Sequence, residues 1–234
     1  MFAVVVMPLI DFVTDGEEDR EAAEGFVKLI QETLAKEVGK PITWDDSSDE
    51  SDEALADELD SYCMWGLRAT AAYLEQNGDL DGFDPGAEPW EHAVFDELEA
   101  RKGSEEFRQL LHADANQLCY VPVDLEDFYH LTPTQPEEEL AEESAEELDE
   151  QNGAEFGIGS LPALTLELER VREALGLDPN LELNDELEFD AEQDPLAAAK
   201  CGCVVLSARA REATERNTSL IIVWDDLGDA EIEG

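Results

Sequence analysis

Any fold this chain adopts must accommodate 61 aspartates and glutamates against only 14 lysines and arginines. At a formal net charge of -47, most carboxylates have no basic partner within the molecule. They belong on the surface, because burying an unpaired charge is prohibitively costly. Their mutual repulsion destabilises a compact state unless counterions or a cationic partner screen it. The apolar side of the balance is ordinary. Hydrophobic residues make up 43% of 234 positions, enough for the core of one large domain or two small ones.

Three causes produce such a surface: a salt-rich (halophilic) cytoplasm, binding to a basic protein, or solubility alone. The nine arginines against five lysines fit the first. The second follows from chemistry, since a carboxylate offers fixed negative charge to Arg and Lys as a phosphate does. Direct nucleic-acid binding is excluded, because no basic patch exists to displace phosphate counterions. The opening MFAVVVMPLI lacks a basic leader and runs at once into Asp11, and no apolar run reaches membrane-span length. The expected location is the cytoplasm, with Cys63, Cys119, Cys201 and Cys203 reduced.

The pattern along the chain predicts an α/β or α+β protein with a small mixed sheet of about four strands covered by about six helices. Strands are expected near 1–12, at 118–125, at 181–189 and at 219–224. Helices are expected through Phe26, Ile30 and Leu34, and from about Asp52 through Leu55, Leu59, Cys63, Leu67, Ala71 and Leu74 on one face. A further helix runs through Leu161, Leu164, Leu168, Val171 and Leu175, capped by Ser160 and ended by Gly176. Residues 135–153 hold nine acids and no base. The expected organisation is a helix-rich lobe over 1–130, an acidic linker or surface helix over 131–153, and an α-β-α-β lobe over 154–234.

Two candidate sites emerge. The stretch NGDLDGFDPGAE places Asn77, Asp79, Asp81 and Glu88 at positions 1, 3, 5 and 12 around Gly82 at position 6. Calcium takes six to eight oxygens, and alternate side chains closed by a distant Glu can converge on it. These twelve residues resemble an EF-hand loop, which implies a calcium-binding module; the other reading is a polar interhelical turn. The stretch LELNDELEF alternates, so Glu182, Glu186 and Glu188 form a row opposite Leu181, Leu183, Leu187 and Phe189. That row is the expected partner-binding surface. Cys201 and Cys203 have weak ligand spacing and read as small core residues, with Gly202 marking close helix packing. No catalytic signature appears. The sequence therefore points to a non-enzymatic acidic protein that binds a basic protein, as an inhibitor, an immunity-type neutraliser or a nucleic-acid mimic does. No cofactor is implied beyond calcium at 77–88.

Overall fold

The computed structural model describes residues 1–13, 20–44, 54–101, 103–111, 117–131, 156–179, 181, 183, 189–190 and 193–224. Among these, six strands form one mixed sheet in the order β2-β1-β6-β3-β5-β4. The strands are β1 (Phe2–Met7), β2 (Leu55–Leu59), β3 (Gln117–Val121), β4 (Tyr129–Leu131), β5 (Phe156–Ser160) and β6 (Ser219–Trp224). β3 and β5 run parallel, and every other neighbouring pair is antiparallel. The strands before residue 132 and those after 155 therefore share a single sheet, with β6 between β1 and β3.

Seven α-helices surround it among the described residues: α1 (Leu9–Val13), α2 (Arg20–Val38), α3 (Ser61–Asn77), α4 (Val94–Arg101), α5 (Arg108–Leu111), α6 (Leu161–Ala174) and α7 (Ala197–Arg216). Strand alternation sends side chains to two faces. Phe2, Val4, Val6, Leu59, Leu118, Tyr120, Leu220 and Ile222 meet α3, α6 and α7 on one face. Cys119, Val121, Ile158 and Ile221 meet α1 and α2 on the other, through Leu9, Ile10, Val27, Ile30 and Leu34. The result is a sheet between two helical layers, an α/β arrangement in which each layer buries one apolar face.

Where the pattern is long and regular, sequence and structure agree. Ser160 caps α6 by accepting the Ala163 amide at 3.2 Å, and all five apolar seam residues of α6 are buried. Gly39 and Gly176, both at positive φ, end α2 and α6.

The structure corrects the strand count from about four to six, and it shortens one helix. Residues 55–59, expected as the first turns of α3, are strand β2 pairing antiparallel with β1. A Leu55-to-Leu59 spacing of four satisfies a helical and an alternating pattern alike. Tertiary pairing decides the case: Leu59 sits against Phe2 in the ladder, and Asp60 then caps α3 by accepting the Tyr62 amide at 2.7 Å. The Gly-rich segment 157–160 is β5. An added Cβ would lie 2.5 Å from the Phe128 ring at Gly157 and 2.6 Å from the Gln109 Oε1 and the Tyr120 ring at Gly159. Glycine is what lets this strand pass beneath those side chains. The expected strand at 181–189 lies largely outside the described residues; Leu181 and Leu183, both half-buried, stand outside any strand.

Candidate functional site

Between Arg68 and Arg101 the chain carries nine carboxylates and no Lys or Arg. The structure fixes eight of them, Asp79, Asp81, Asp84, Glu88, Glu91, Asp96, Glu97 and Glu99, on an exposed loop and on α4. The loop begins where Gly78, at φ +81°, turns the chain out of α3 and donates its amide to the Leu74 carbonyl at 2.7 Å. Left-handed backbone suits glycine there.

Three apolar anchors then pin the loop down. Phe83 is buried and stacks on Tyr73 with ring centroids 4.4 Å apart, while Pro85 and Pro89 are also buried. His92 meets the Phe83 ring edge-on at 5.3 Å and accepts the Val94 amide at 3.2 Å. From α3, the Tyr62 hydroxyl donates to the Gly86 carbonyl at 2.9 Å, and the Gln76 side chain donates to the Val94 carbonyl at 3.0 Å.

The loop carboxylates also order their own backbone. Asp79 accepts the Asp81 amide at 3.0 Å, and Asp84 accepts the Gly86 amide at 2.9 Å. Such turns are local substitutes for backbone pairing. Asn77 is the last residue of α3, where its side-chain Nδ2 donates to the Tyr73 carbonyl at 3.0 Å, and Glu88 is exposed beside the short 3-10 turn Pro89–Glu91. Among the described residues no three His, Cys, Asp or Glu side chains gather as metal ligands do. Trp90 stands in the middle of this acidic stretch, 43% exposed.

Elsewhere most of the described bases are engaged within the fold. Thirteen of the 14 Lys and Arg residues are described. Eight of these (Arg20, Lys28, Arg101, Arg108, Arg170, Lys200, Arg209 and Arg216) pair with carboxylates. Two more turn inward. Arg172 donates to the Asp178 and Leu181 carbonyls, and Arg68 donates to the Leu111 carbonyl while lying 4.4 Å over the Trp65 ring. The outward field is accordingly dominated by carboxylates.

One carboxylate behaves differently, and the sequence reading missed it. Glu167 on α6 is 7% exposed and accepts the Gln109 and Leu110 amides, each at 2.9 Å, at the first turn of α5. Burial pushes its carboxyl up to about 7, against the lowering effect of those two amides. The neighbouring groups are saturated as well: Gln109 accepts the Ser160 amide at 2.8 Å, and Tyr120 donates to the Gln109 carbonyl at 2.8 Å. This network ties α5, α6, β3 and β5 together. Its sequence signal is a carboxylate set on the apolar stripe between Leu164 and Leu168.

Glu182, Glu186 and Glu188, the expected partner-binding row, lie outside the described residues. No helix among the described residues is long and apolar enough to cross a membrane.

By its fold and surface this is an α/β scaffold that holds a dense set of carboxylates in fixed positions. Residues 1–222 match the model of the family described as "Putative DNA-mimic protein", and the chain belongs to that family. Comparisons with curated proteins and with solved structures gave no match.

Proposed function

We propose that the protein is a DNA mimic: it occupies the DNA-binding surface of a basic protein and competes with the duplex for it. The family match across residues 1–222 carries this reading, and the surface supplies a mechanism. A DNA-binding protein recognises the backbone through Arg and Lys side chains placed for phosphates. Carboxylates accept the same charge-assisted hydrogen bonds, including bidentate ones from guanidinium. A net charge of -47 also steers a cationic partner and raises its association rate.

Fixed charges are the effective ones, because ordering a floppy acidic segment on binding costs conformational entropy. The 79–99 surface meets that requirement, its backbone being pinned by Phe83, Tyr62 and the aspartate turns. Trp90 adds an aromatic side chain among the charges, the residue type enriched at binding hot spots. The row Glu182, Glu186 and Glu188 is the second surface proposed for the same partner.

The test uses the full-length protein immobilised and exposed to extract from its own cells. The proposal expects DNA-binding proteins to be captured, and short duplex DNA to elute them. Two variants locate the surface. One carries Asp79→Asn, Asp81→Asn, Asp84→Asn, Glu88→Gln and Glu91→Gln, in which asparagine keeps the turn acceptors. The other carries Glu182→Gln, Glu186→Gln and Glu188→Gln. Loss of capture in either assigns the surface to that set. Captured proteins that duplex DNA does not elute would overturn the mimic reading.

A further inference from the structure

Helices α3 and α7 come into tight contact where Gly202 faces Cys63. A Cβ added at Gly202 would stand 2.5 Å from the Cys63 carbonyl oxygen, and one at Gly66 would stand 3.2 Å from the Ala198 side chain. Small residues thus let the two backbones touch, and the residue beside Gly202 is Cys201. This contact sets the Cys63 and Cys201 side chains near enough for each to influence the ionisation of the other. Both are free and partly exposed, whereas Cys119 and Cys203 are fully buried.

We propose that Cys63 and Cys201 are an oxidisable dithiol that closes to a disulfide and locks α3 to α7. The chemistry is exchange with a small-molecule disulfide of the oxidised-glutathione class. The Cys201 thiolate attacks one sulfur of that molecule, forming a mixed disulfide and releasing one small thiolate, which takes up a proton. Cys63 then gives up its proton and attacks the Cys201 sulfur, breaking the mixed bond and releasing the second small thiol. The two protein thiols lose two electrons and two protons; the small disulfide gains both and becomes two thiols.

The order of attack follows from the local electrostatics. The adjacent Cys63 thiol stabilises the Cys201 thiolate against the opposing effects of burial and of Asp60. The same contact, together with burial, keeps Cys63 protonated until the mixed disulfide exists. Cys203, whose thiol faces the Leu168 carbonyl and Ser207 inside the core, is pushed up to about 11 by burial and stays out of the exchange. The clamp would sit at the mount of the acidic loop, since Tyr62 beside Cys63 holds Gly86.

The experiment takes reduced full-length protein, treats it with oxidised glutathione, blocks remaining thiols by alkylation and maps the peptides. The expected product has lost two hydrogens, links Cys63 to Cys201, and melts several degrees higher, because the bond restricts the unfolded chain. Dithiothreitol reverses both changes. Cys63→Ser is expected to stop at a stable glutathione adduct on Cys201, with no internal bridge. The proposal is overturned if wild type stops at that same adduct. It is equally overturned if all four thiols are consumed at equal rates, if Cys201 bridges to Cys203 instead, or if no thiol reacts.

Discussion

Glu167→Gln isolates the one carboxylate that the fold has placed where charge is unwelcome. Its carboxyl is raised from 4.5 to about 7, chiefly by burial. That rise is worth about 3 kcal/mol between the two protonation states. The sign follows from proton binding: between these values the folded state holds the proton and the unfolded state has lost it. The contribution of Glu167 to stability is therefore fully present below about 4.5, declines as pH rises, and is gone by about 7. Glutamine reproduces the neutral form, keeping one acceptor oxygen for one of the Gln109 and Leu110 amides, and it does not titrate. The variant should be less stable than wild type near pH 4.5, by the roughly 1–3 kcal/mol cost of the amide left without an acceptor. It should gain on wild type as pH rises to 8 by up to about 3 kcal/mol, or roughly 6–12 °C in melting temperature for a chain of this size. Thermal melts of both proteins at constant ionic strength from pH 4 to 8 give the difference directly, and the titration of the other carboxylates cancels. A difference that does not change with pH would refute the reasoning. So would a variant that loses stability as pH rises, because the ionised carboxylate would then be the form the fold prefers.

Salt should stabilise the whole molecule. With a net charge of -47, shortening the Debye length from about 30 Å at 0.01 M to about 3 Å at 1 M weakens self-repulsion, so melting in KCl should shift upward throughout, and a flat profile would remove repulsion as a controlling force. Gly202→Ala should destabilise by about 1–3 kcal/mol, since its Cβ would meet the Cys63 carbonyl at 2.5 Å; Gly66→Ala, with 3.2 Å to the Ala198 side chain, should cost less, and equal melting temperatures would contradict the packing argument. Calcium calorimetry decides between the two readings of residues 77–88: with Asp79 and Asp84 already holding backbone amides, the turn reading expects no saturable heat at millimolar calcium, and a single site abolished by Glu88→Ala would establish the cage.

What the sequence reveals depends on how local the determining physics is. The α6 seam was legible because five apolar residues, a capping serine and a closing glycine all lie within one helix. Strand β2 was not, because Leu55 and Leu59 suit either period and the deciding partner, β1, is fifty residues away. Strand β5 was hidden for a similar reason: its glycines are demanded by Phe128, Tyr120 and Gln109, which no local window contains. The loop at 77–88 stood out for its turn residues and carboxylates. Its mounting on Tyr73, Phe83 and Tyr62 is a tertiary fact. The cysteines show the same division. Cys201 and Cys203 stand out as neighbours in sequence, while the fold brings the helix turn that carries Cys201 against Cys63.

The central claim is that this surface takes the place of DNA. It is tested most directly by holding a captured DNA-binding protein at fixed concentration with a fluorescent duplex and titrating in the full-length acidic protein. Competition for one surface predicts that the duplex is displaced completely, that its apparent dissociation constant rises in proportion to the concentration of competitor, and that this effect weakens steeply with salt. A ternary complex in which the duplex stays bound would contradict the account.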